Sequence, residues 1–230
     1  MQRVDRPEIL DSPQCPPEHA EESLRDLSRI NRWFGGVSTT RRLIERVAAK
    51  TGQRQFSLLE VAAGHGEVPR AAARQLLRKG VTLDVTLLDR ISSHLLPGNR
   101  SVVADALTLP FRDASFDLVS CGLFAHHLEP MEVKRFAREA LRVSRWALLI
   151  NDLVRHPLHL GLVYAGFPLM RSYVSRCDGV ASVRRAYEPE ELRSILSDDD
   201  LPEQVEITRH YLFRMGVILW KDGSPPLNHP

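Results

Sequence analysis

The sequence has 230 residues, and 31 Lys and Arg against 29 Asp and Glu leave a formal net charge of +2. A balanced charge does not support a dedicated nucleic-acid binder, which needs a concentrated basic face. Hydrophobic residues make up 43% of the chain and charged residues 26%. These values are typical of a globular protein and exclude wholesale disorder.

Neither the cysteines nor the apolar runs indicate a disulfide framework, a zinc motif or a membrane span. Cys15, Cys121 and Cys177 are widely separated, and no cluster in the sequence has metal-ligand spacing. The N-terminal residues lack the apolar core of a secretory signal. The longest charge-free apolar run, 157–170, is shorter than the roughly 20 residues that span a bilayer. We therefore expect a cytoplasmic protein with no stable membrane insertion and no bound metal.

Two amphipathic patterns come before any strand. Residues 1–17 are polar and rich in proline, and they are predicted to form a flexible arm. Residues 18–50 are predicted to form an N-terminal helical cap, in which Leu43, Ile44 and Val47 share one side of the second helix.

Strands and helices then alternate along the chain. The apolar runs predicted as strands are 56–61, 81–88, 101–104, 116–121 and 146–151. The helices predicted between them include 67–79 and 131–144. Strands this apolar, separated by helices, favour a parallel sheet that is covered on both faces.

The last part of the chain is predicted to add an insertion and a hairpin. Residues from about 153 to 200 indicate a helical insertion, and 205–220 carry β-formers on both sides of Arg214. We therefore predict an α/β fold: a Rossmann-like, doubly wound, mostly parallel seven-stranded sheet with an antiparallel C-terminal hairpin, N-terminal helices and a helical lid insertion. The main domain is placed at 51–220, and 221–230 is predicted to be a tail.

The first strand runs into the sequence VAAGHGE, a loop of small residues followed by a helix. Ala62, Gly64 and Gly66 let the backbone approach a ligand closely, and ligands of open parallel sheets bind beyond the carboxyl ends of the strands. A dinucleotide loop would have a third glycine where Pro69 stands, and Glu67 would repel a pyrophosphate. A cationic or zwitterionic ligand fits this loop better than NAD.

Carboxylates also follow the next two predicted strands. Asp89 lies where an acid can accept hydrogen bonds from both hydroxyls of a ribose, and Asp105 lies where one can accept from an adenine amino group. The alternative roles are helix capping for Asp89 and turn formation for Asp105.

These motifs occur in the order ExAxGxG, strand-end Asp, ADA, LPFRDASFDLV and then His126-His127. In that order they resemble the class I S-adenosylmethionine-dependent methyltransferases, and most closely the type 11 small-molecule branch that includes ubiquinone and menaquinone biosynthesis enzymes. The resemblance covers about residues 56–151 and departs from the family pattern at Ala62, where a glycine is usual, and at Glu67. It implies S-adenosylmethionine as cofactor and S-adenosylhomocysteine as product. The cofactor-binding residues that it implies are Glu60, Ala62, Gly64, Gly66, Asp89, Ile91, Asp105, Ala106 and Cys121.

The acceptor side of the site is less defined. The resemblance puts His127 and His126 near the reacting methyl group, and His127 is the preferred candidate for a general base, with packing or hydrogen bonding as the alternative. Adjacent helical residues point about 100° apart, so at most one of the two is expected to face the donor. The candidate substrate-binding residues are Trp33, Asn151, Arg155 and His156.

The leading hypothesis is methyl transfer to a hydrophobic small molecule, namely O-methylation of an aromatic or polyketide-like acceptor by in-line SN2 displacement. The apolar insertion after the fifth strand motivates this choice of acceptor. The donor's sulfonium already activates the methyl carbon, so the protein must mainly align the reactants and remove a proton. C-methylation of a quinone precursor and a non-catalytic binding protein with this fold are the alternatives, and no nucleic-acid partner is expected.

Overall fold

The computed structural model of the protein describes residues 1–12, 15–197, 201–202, 204–221 and 223. Within these residues, seven strands form one sheet. The strands are β1 (Gln55–Val61), β2 (Thr82–Asp89), β3 (Ser101–Val103), β4 (Phe116–Gly122), β5 (Ser144–Leu153), β6 (Val205–His210) and β7 (Arg214–Trp220). Of the predicted tail, all but Lys221 and Gly223 lies outside the described residues, as do residues 198–200 of the predicted insertion.

The strand order is β3-β2-β1-β4-β5-β7-β6. The first five strands in this order run parallel, and β7 runs antiparallel to both of its neighbours, β5 and β6. The predicted Rossmann-like sheet with an antiparallel C-terminal hairpin is confirmed. In the register, Glu60 of β1 lies beside Leu87 of β2 and Ser120 of β4. The carboxyl ends of these three strands therefore meet at one edge of the sheet.

The described residues contain seven α-helices. They are α1 (Pro17–Trp33), α2 (Gly36–Thr51), α3 (Glu67–Leu77), α4 (Pro130–Val143), α5 (Pro157–Ala165), α6 (Tyr173–Arg185) and α7 (Pro189–Leu196). The predicted N-terminal helices and the helical insertion after β5 are both present.

The sheet has a hydrophobic core on each face because neighbouring strand residues point to opposite sides. Leu58 of β1 packs with Ile44 of α2 and Leu76 of α3, and all three are fully buried. Leu59, the next residue, packs on the other face with Phe136 of α4 and Leu192 of α7. Helices therefore cover both faces, as the near-continuous apolar character of the strands predicts.

The first residues of the chain, predicted as a flexible arm, are instead packed against the protein. The amides of Ile9 and Leu10 donate to the carboxylate of Asp178 in α6 at 2.8 and 2.9 Å. Glu8 and Leu10 are buried. These contacts join positions 169 and 168 residues apart in the sequence, so no local pattern could reveal them. The prediction of a flexible arm is corrected at these residues.

The insertion after β5 packs on the N-terminal cap. The amide of Ser172 donates to Asp26 of α1 at 2.9 Å, and the hydroxyl of Ser175 donates to Ser23 at 3.1 Å. Together, α1 and α6 form a layer over the carboxyl edge of the sheet. The domain boundaries predicted from the sequence stay a prediction. Among the described helices, none is both long and apolar enough to cross a membrane.

Candidate active site

A cavity of about 560 Å³ lies at the carboxyl edge of the sheet. Its floor is formed by the ends of β1, β2 and β4, and its roof by the N-terminal arm, α1 and α6. The volume lies within the roughly 300–1,000 Å³ that is usual for small-molecule sites. This is the position that the strand-end motifs predict.

The loop between β1 and α3 follows a path that needs left-handed backbone at three positions. Ala62, Gly64 and Gly66 have φ angles of 52°, 50° and 67°, and all three line the cavity. A Cβ on Gly66 would lie only 2.5 Å from the side chain of Leu87. Ala62 adopts the left-handed conformation despite its methyl group, so the replacement of the usual glycine leaves this path of the loop intact.

Asp89, at the end of β2, is aligned by the same loop. Its carboxylate accepts hydrogen bonds from the amides of Gly64 at 2.9 Å and Ile91 at 3.0 Å, and the Nδ1 atom of His94 lies 3.6 Å away. Burial acts to raise the pKa of Asp89, but the nearby imidazole of His94 and the hydrogen bonds from the two amides outweigh burial and lower the pKa. The cavity therefore presents an ionised carboxylate at this point, with lone pairs left for further donors.

Glu60, at the end of β1, is a second carboxylate on the cavity floor. It is almost completely buried and accepts a hydrogen bond from the hydroxyl of Ser120. Burial raises the pKa of Glu60 to about 7, although the Ser120 hydrogen bond opposes the shift. A cation bound beside Glu60 would favour its charged form.

The segments that follow β2 and β3 also line the cavity. Asp105, Ala106 and Ile91 all line it, and Asp105 accepts a hydrogen bond from the amide of Leu107 at 2.9 Å. Asp105 keeps an exposed carboxylate. The predicted adenine-side residues are thus brought together.

Cys121 is placed differently from its prediction. Its side chain lies in the hydrophobic core beneath the sheet edge, outside the residues that line the cavity, and burial raises the pKa of its thiol well above the usual value. The next residues, Gly122 to Phe124, line the cavity in its place. The strand alternation turns the Cys121 side chain away from the ligand side.

Both candidate histidines line the cavity, whereas helical spacing predicted that only one would face it. They lie in a short 3₁₀ turn, Ala125–His127, with ring centroids 4.3 Å apart. His126 Nδ1 lies 2.6 Å from Asp152, and His127 Nδ1 lies 2.6 Å from Asp11. Both rings therefore turn their Nε2 atoms toward Glu8, at 3.3 and 3.6 Å.

The pKa of His126 is raised to about 10. Burial acts to lower it, but the carboxylates of Asp152 and Glu8 outweigh burial by charge attraction and hydrogen bonding. The predicted role of either histidine as a general base stays a prediction.

Sequence spacing predicted no metal cluster, but the fold assembles one candidate. Ligand atoms of Glu8, His126 and His127 all lie within 4.8 Å of one another. Glu8 and Asp11 were missed in the sequence because the proline-rich arm has no periodic pattern. The motif PEILD offers only two acids three positions apart, which is too weak a signal to place them in a site.

Of the predicted substrate-binding residues, Asn151 alone lines the cavity. Its amide nitrogen donates to Gly36 and Thr40 at 2.8 and 2.9 Å, and its amide oxygen accepts from Arg214 at 3.2 Å. Asn151 thus joins the N-terminal cap to the sheet and has little capacity left for a ligand. Trp33 lies outside the lining residues and is 61% exposed at the end of α1.

Arg155 and His156 lie at a second cavity, away from the first. Arg155 is buried and bonds to the carbonyl of Ala186 and to the carboxylate of Glu191. The His156 ring accepts a hydrogen bond from the amide of Leu158 and caps α5. The prediction that these two residues bind the substrate in this cavity is corrected, since capping and loop anchoring use them instead.

Residues 59–146 match the family model described as a methyltransferase domain. Many solved structures are similar to this chain, including the following three. A SAM-dependent methyltransferase from Aquifex aeolicus is 15% identical, with a TM-score of 0.59, and the match covers 89% of this chain and 98% of that one.

The plantazolicin methyltransferase BpumL, in complex with a triazolic desmethylPZN analogue and SAH, is 13% identical with a TM-score of 0.66, and 89% and 91% of the two chains are covered. The CMeT domain of the citrinin polyketide synthase is 16% identical with a TM-score of 0.60. The match covers 94% of this chain and 59% of that one. At these identities the likeness shows the fold. No curated protein matches the sequence significantly.

Substituting Gly66 by alanine tests the close approach in the loop. We expect Gly66→Ala to lower the free energy of unfolding by about 2–4 kcal/mol, because left-handed strain adds to overlap with Leu87. The matched control is Gly80→Ala, at a φ of 73° with no atom within 4 Å of the new Cβ. It should lose only about 1–2 kcal/mol. Urea unfolding measures both, and equal losses would contradict the close approach.

Proposed function

We propose that this chain, in which residues 59–146 match the model of a methyltransferase domain, is an S-adenosylmethionine-dependent methyltransferase. Its proposed acceptor is a hydroxyl oxygen of a hydrophobic, aromatic or polyketide-like small molecule. S-adenosylmethionine is the methyl donor and S-adenosylhomocysteine the product. The observation that carries the proposal is a single cavity that is lined both by the glycine loop and by the Glu8, His126 and His127 cluster.

The floor of the cavity is the proposed cofactor subsite. Asp89, ionised and aligned, accepts hydrogen bonds from the ribose hydroxyls. Asp105 and Ala106 bind adenine, with Ile91 packed on the ring, while Glu60 and the loop from Ala62 to Gly66 hold the methionine part. The ammonium of that part pairs with the ionised form of Glu60.

The roof of the cavity is the proposed acceptor subsite. Leu24 and Leu27 of α1, Leu10 of the arm and Phe124 supply apolar surface. The Glu8, His126 and His127 cluster supplies the polar groups beside it. An apolar wall with one polar cluster suits a hydrophobic acceptor that carries a hydroxyl group, and His127 and His126 are the proposed catalytic residues.

The reaction needs alignment more than bond activation. The acceptor oxygen attacks the methyl carbon, the C–S bond breaks and its electron pair returns to sulfur. The hydroxyl proton passes to His127, the preferred candidate for the general base. Holding oxygen, carbon and sulfur in line can supply roughly 7–11 kcal/mol of the barrier reduction. The docked arm and α1 line part of the cavity and reduce the access of water to the methyl donor.

Two of the similar structures support the acceptor class. One is described with a desmethylPZN analogue and the other belongs to a polyketide synthase, so both are connected with small-molecule products. The balanced charge of this chain, +2 in total, supports a small molecule over nucleic acid as the acceptor.

Turnover with a panel of phenols tests the proposed function. Protein supplied with S-adenosylmethionine carrying a labelled methyl group should transfer the label to at least one hydrophobic phenol, and mass spectrometry of the product should identify a methyl ether. A C-methylated product would show that the nucleophile is a carbon atom of the acceptor and would contradict O-methylation. Binding of S-adenosylhomocysteine without transfer to any phenol would oppose the proposal.

Asp89→Asn tests the ribose contact. Losing a charged acceptor costs about 1.5–3 kcal/mol per hydrogen bond, so we expect S-adenosylhomocysteine to bind roughly tenfold to a hundredfold more weakly by calorimetry. Asp84→Asn is the matched control, because Asp84 lies on the same strand with its side chain 66% exposed. If both variants bind as tightly as the parent protein, Asp89 does not hold the ribose.

The raised pKa of Glu60 predicts a pH dependence of donor binding. Glu60 is ionised above its pKa of about 7 and protonated below it, and only the ionised form pairs with the donor's ammonium. The affinity for S-adenosylmethionine should therefore fall by about eightfold as the pH decreases from 7.5 to 6. Glu60→Gln should flatten this profile. An unchanged profile in Glu60→Gln would show that another group controls binding.

A further inference from the structure

Three potential metal ligands converge at the acceptor end of the cavity. The Oε1 atom of Glu8 lies 3.3 Å from His126 Nε2 and 3.6 Å from His127 Nε2. Ligand atoms bound at about 2.1 Å to one ion lie about 3.0–3.4 Å apart at octahedral or tetrahedral angles. The two distances to Glu8 are therefore close to the spacing of a coordination sphere, and the ligand atoms of the two histidines lie within 4.8 Å of each other.

Both imidazoles are also oriented as metal-binding histidines usually are. A metal-bound histidine almost always donates its other ring N–H to a carboxylate or carbonyl, which fixes the tautomer and the ring direction. Here Asp152 lies 2.6 Å from His126 Nδ1, and Asp11 lies 2.6 Å from His127 Nδ1. Two independent carboxylate–histidine pairs thus aim their Nε2 atoms at the same carboxylate oxygen.

The charges of the cluster favour a cation. Three carboxylates, Glu8, Asp11 and Asp152, surround two imidazoles, and Glu8 and Asp152 are buried. The nearby guanidinium of Arg185 bonds to the carbonyl of His127 and pairs with Asp5 at 2.7 Å. His126 carries a proton at neutral pH because its pKa is raised to about 10, so a metal ion would displace that proton from Nε2. The three carboxylates outnumber this single positive charge, and a divalent ion would offset the negative charge that remains.

We propose that Glu8, His126 and His127 form a site for a divalent first-row transition metal, with the remaining coordination positions open to the cavity. Two histidines and one carboxylate suit Zn²⁺, Fe²⁺, Mn²⁺ or Co²⁺, whereas Mg²⁺ prefers oxygen ligands. Asp11 and Asp152 are positioning residues that orient the two imidazoles.

The metal site would activate the acceptor in the proposed methyl transfer, and this catalytic role rests on the proposed function. An acceptor hydroxyl that binds the metal has a lowered pKa and releases its proton to solvent. The oxygen then attacks the methyl carbon, and the C–S electron pair returns to sulfur, which yields the ether and the thioether with the metal unchanged. His127 then serves as a ligand and not as a base.

Metal binding is testable without donor or acceptor. Protein freed of metal by a chelator and titrated with Zn²⁺ should bind one equivalent by calorimetry, while Mg²⁺ should bind far more weakly. Glu8→Gln and His127→Ala should each weaken Zn²⁺ binding by at least about a hundredfold, and Asp11→Asn by about 10–100-fold. Glu18→Gln and His19→Ala are the matched controls, since both residues are exposed, and they should bind like the parent protein.

Several outcomes would overturn the site. If the parent protein does not bind Zn²⁺, the cluster is an ion-paired network only. The same conclusion follows if the cluster variants bind Zn²⁺ as tightly as the controls do. If the variants do not fold, the absorption spectrum of Co²⁺ added to the parent protein tests the site. Co²⁺ bound by the two histidines and Glu8 should absorb differently from the hexaaqua ion, whereas an unchanged spectrum would contradict the site. Undiminished turnover in metal-depleted protein would remove the catalytic role alone. Tight metal binding with no turnover on any phenol would instead oppose the proposed function.

Discussion

Parallel strands end at one edge of their sheet, and this constraint brings Glu60, Asp89 and Gly122 into one cleft. The residues are separated by tens of positions in the sequence, but each lies at the end of a buried strand, and the parallel sheet fixes where that strand ends. The left-handed loop from Ala62 to Gly66 then turns the chain into α3 without filling the space above the strand ends. The cleft is thus a consequence of strand order, and its floor is formed mainly by the strand ends and the loops that follow them.

The roof of the cleft depends on one buried carboxylate. Asp178 of α6 accepts the amides of Ile9 and Leu10, and this fixes the arm so that Glu8 reaches His126. Burial raises the pKa of Asp178 to about 6, although the two amide hydrogen bonds oppose the shift. The hydroxyl of Ser182, one turn further along α6, donates to Glu8 at 2.5 Å. The helical insertion therefore completes the acceptor end by holding the arm.

The sequence was most informative where function coincides with a regular element. Asp89 and the glycine loop could be predicted because a strand must end before them, and a parallel sheet then determines where they lie. Cys121 shows the limit of this reasoning. The resemblance implied that Cys121 binds the cofactor, but strand alternation directs its side chain into the core. Arg155 likewise follows the right strand, yet it bonds to Ala186 and Glu191. These bonds depend on packing that no local pattern encodes.

The electrostatics of the cavity connect its two ends. Among the described residues that line it, seven carboxylates stand against two guanidinium groups, although the whole chain carries a charge of +2. An acidic cavity in a slightly basic protein would attract the proposed cationic sulfonium donor and would repel a diphosphate. It would also moderate the repulsion between that sulfonium and a metal ion at Glu8. Because the sulfonium becomes a neutral thioether when the methyl group leaves, the attraction weakens at that moment, which favours release of the product over the donor.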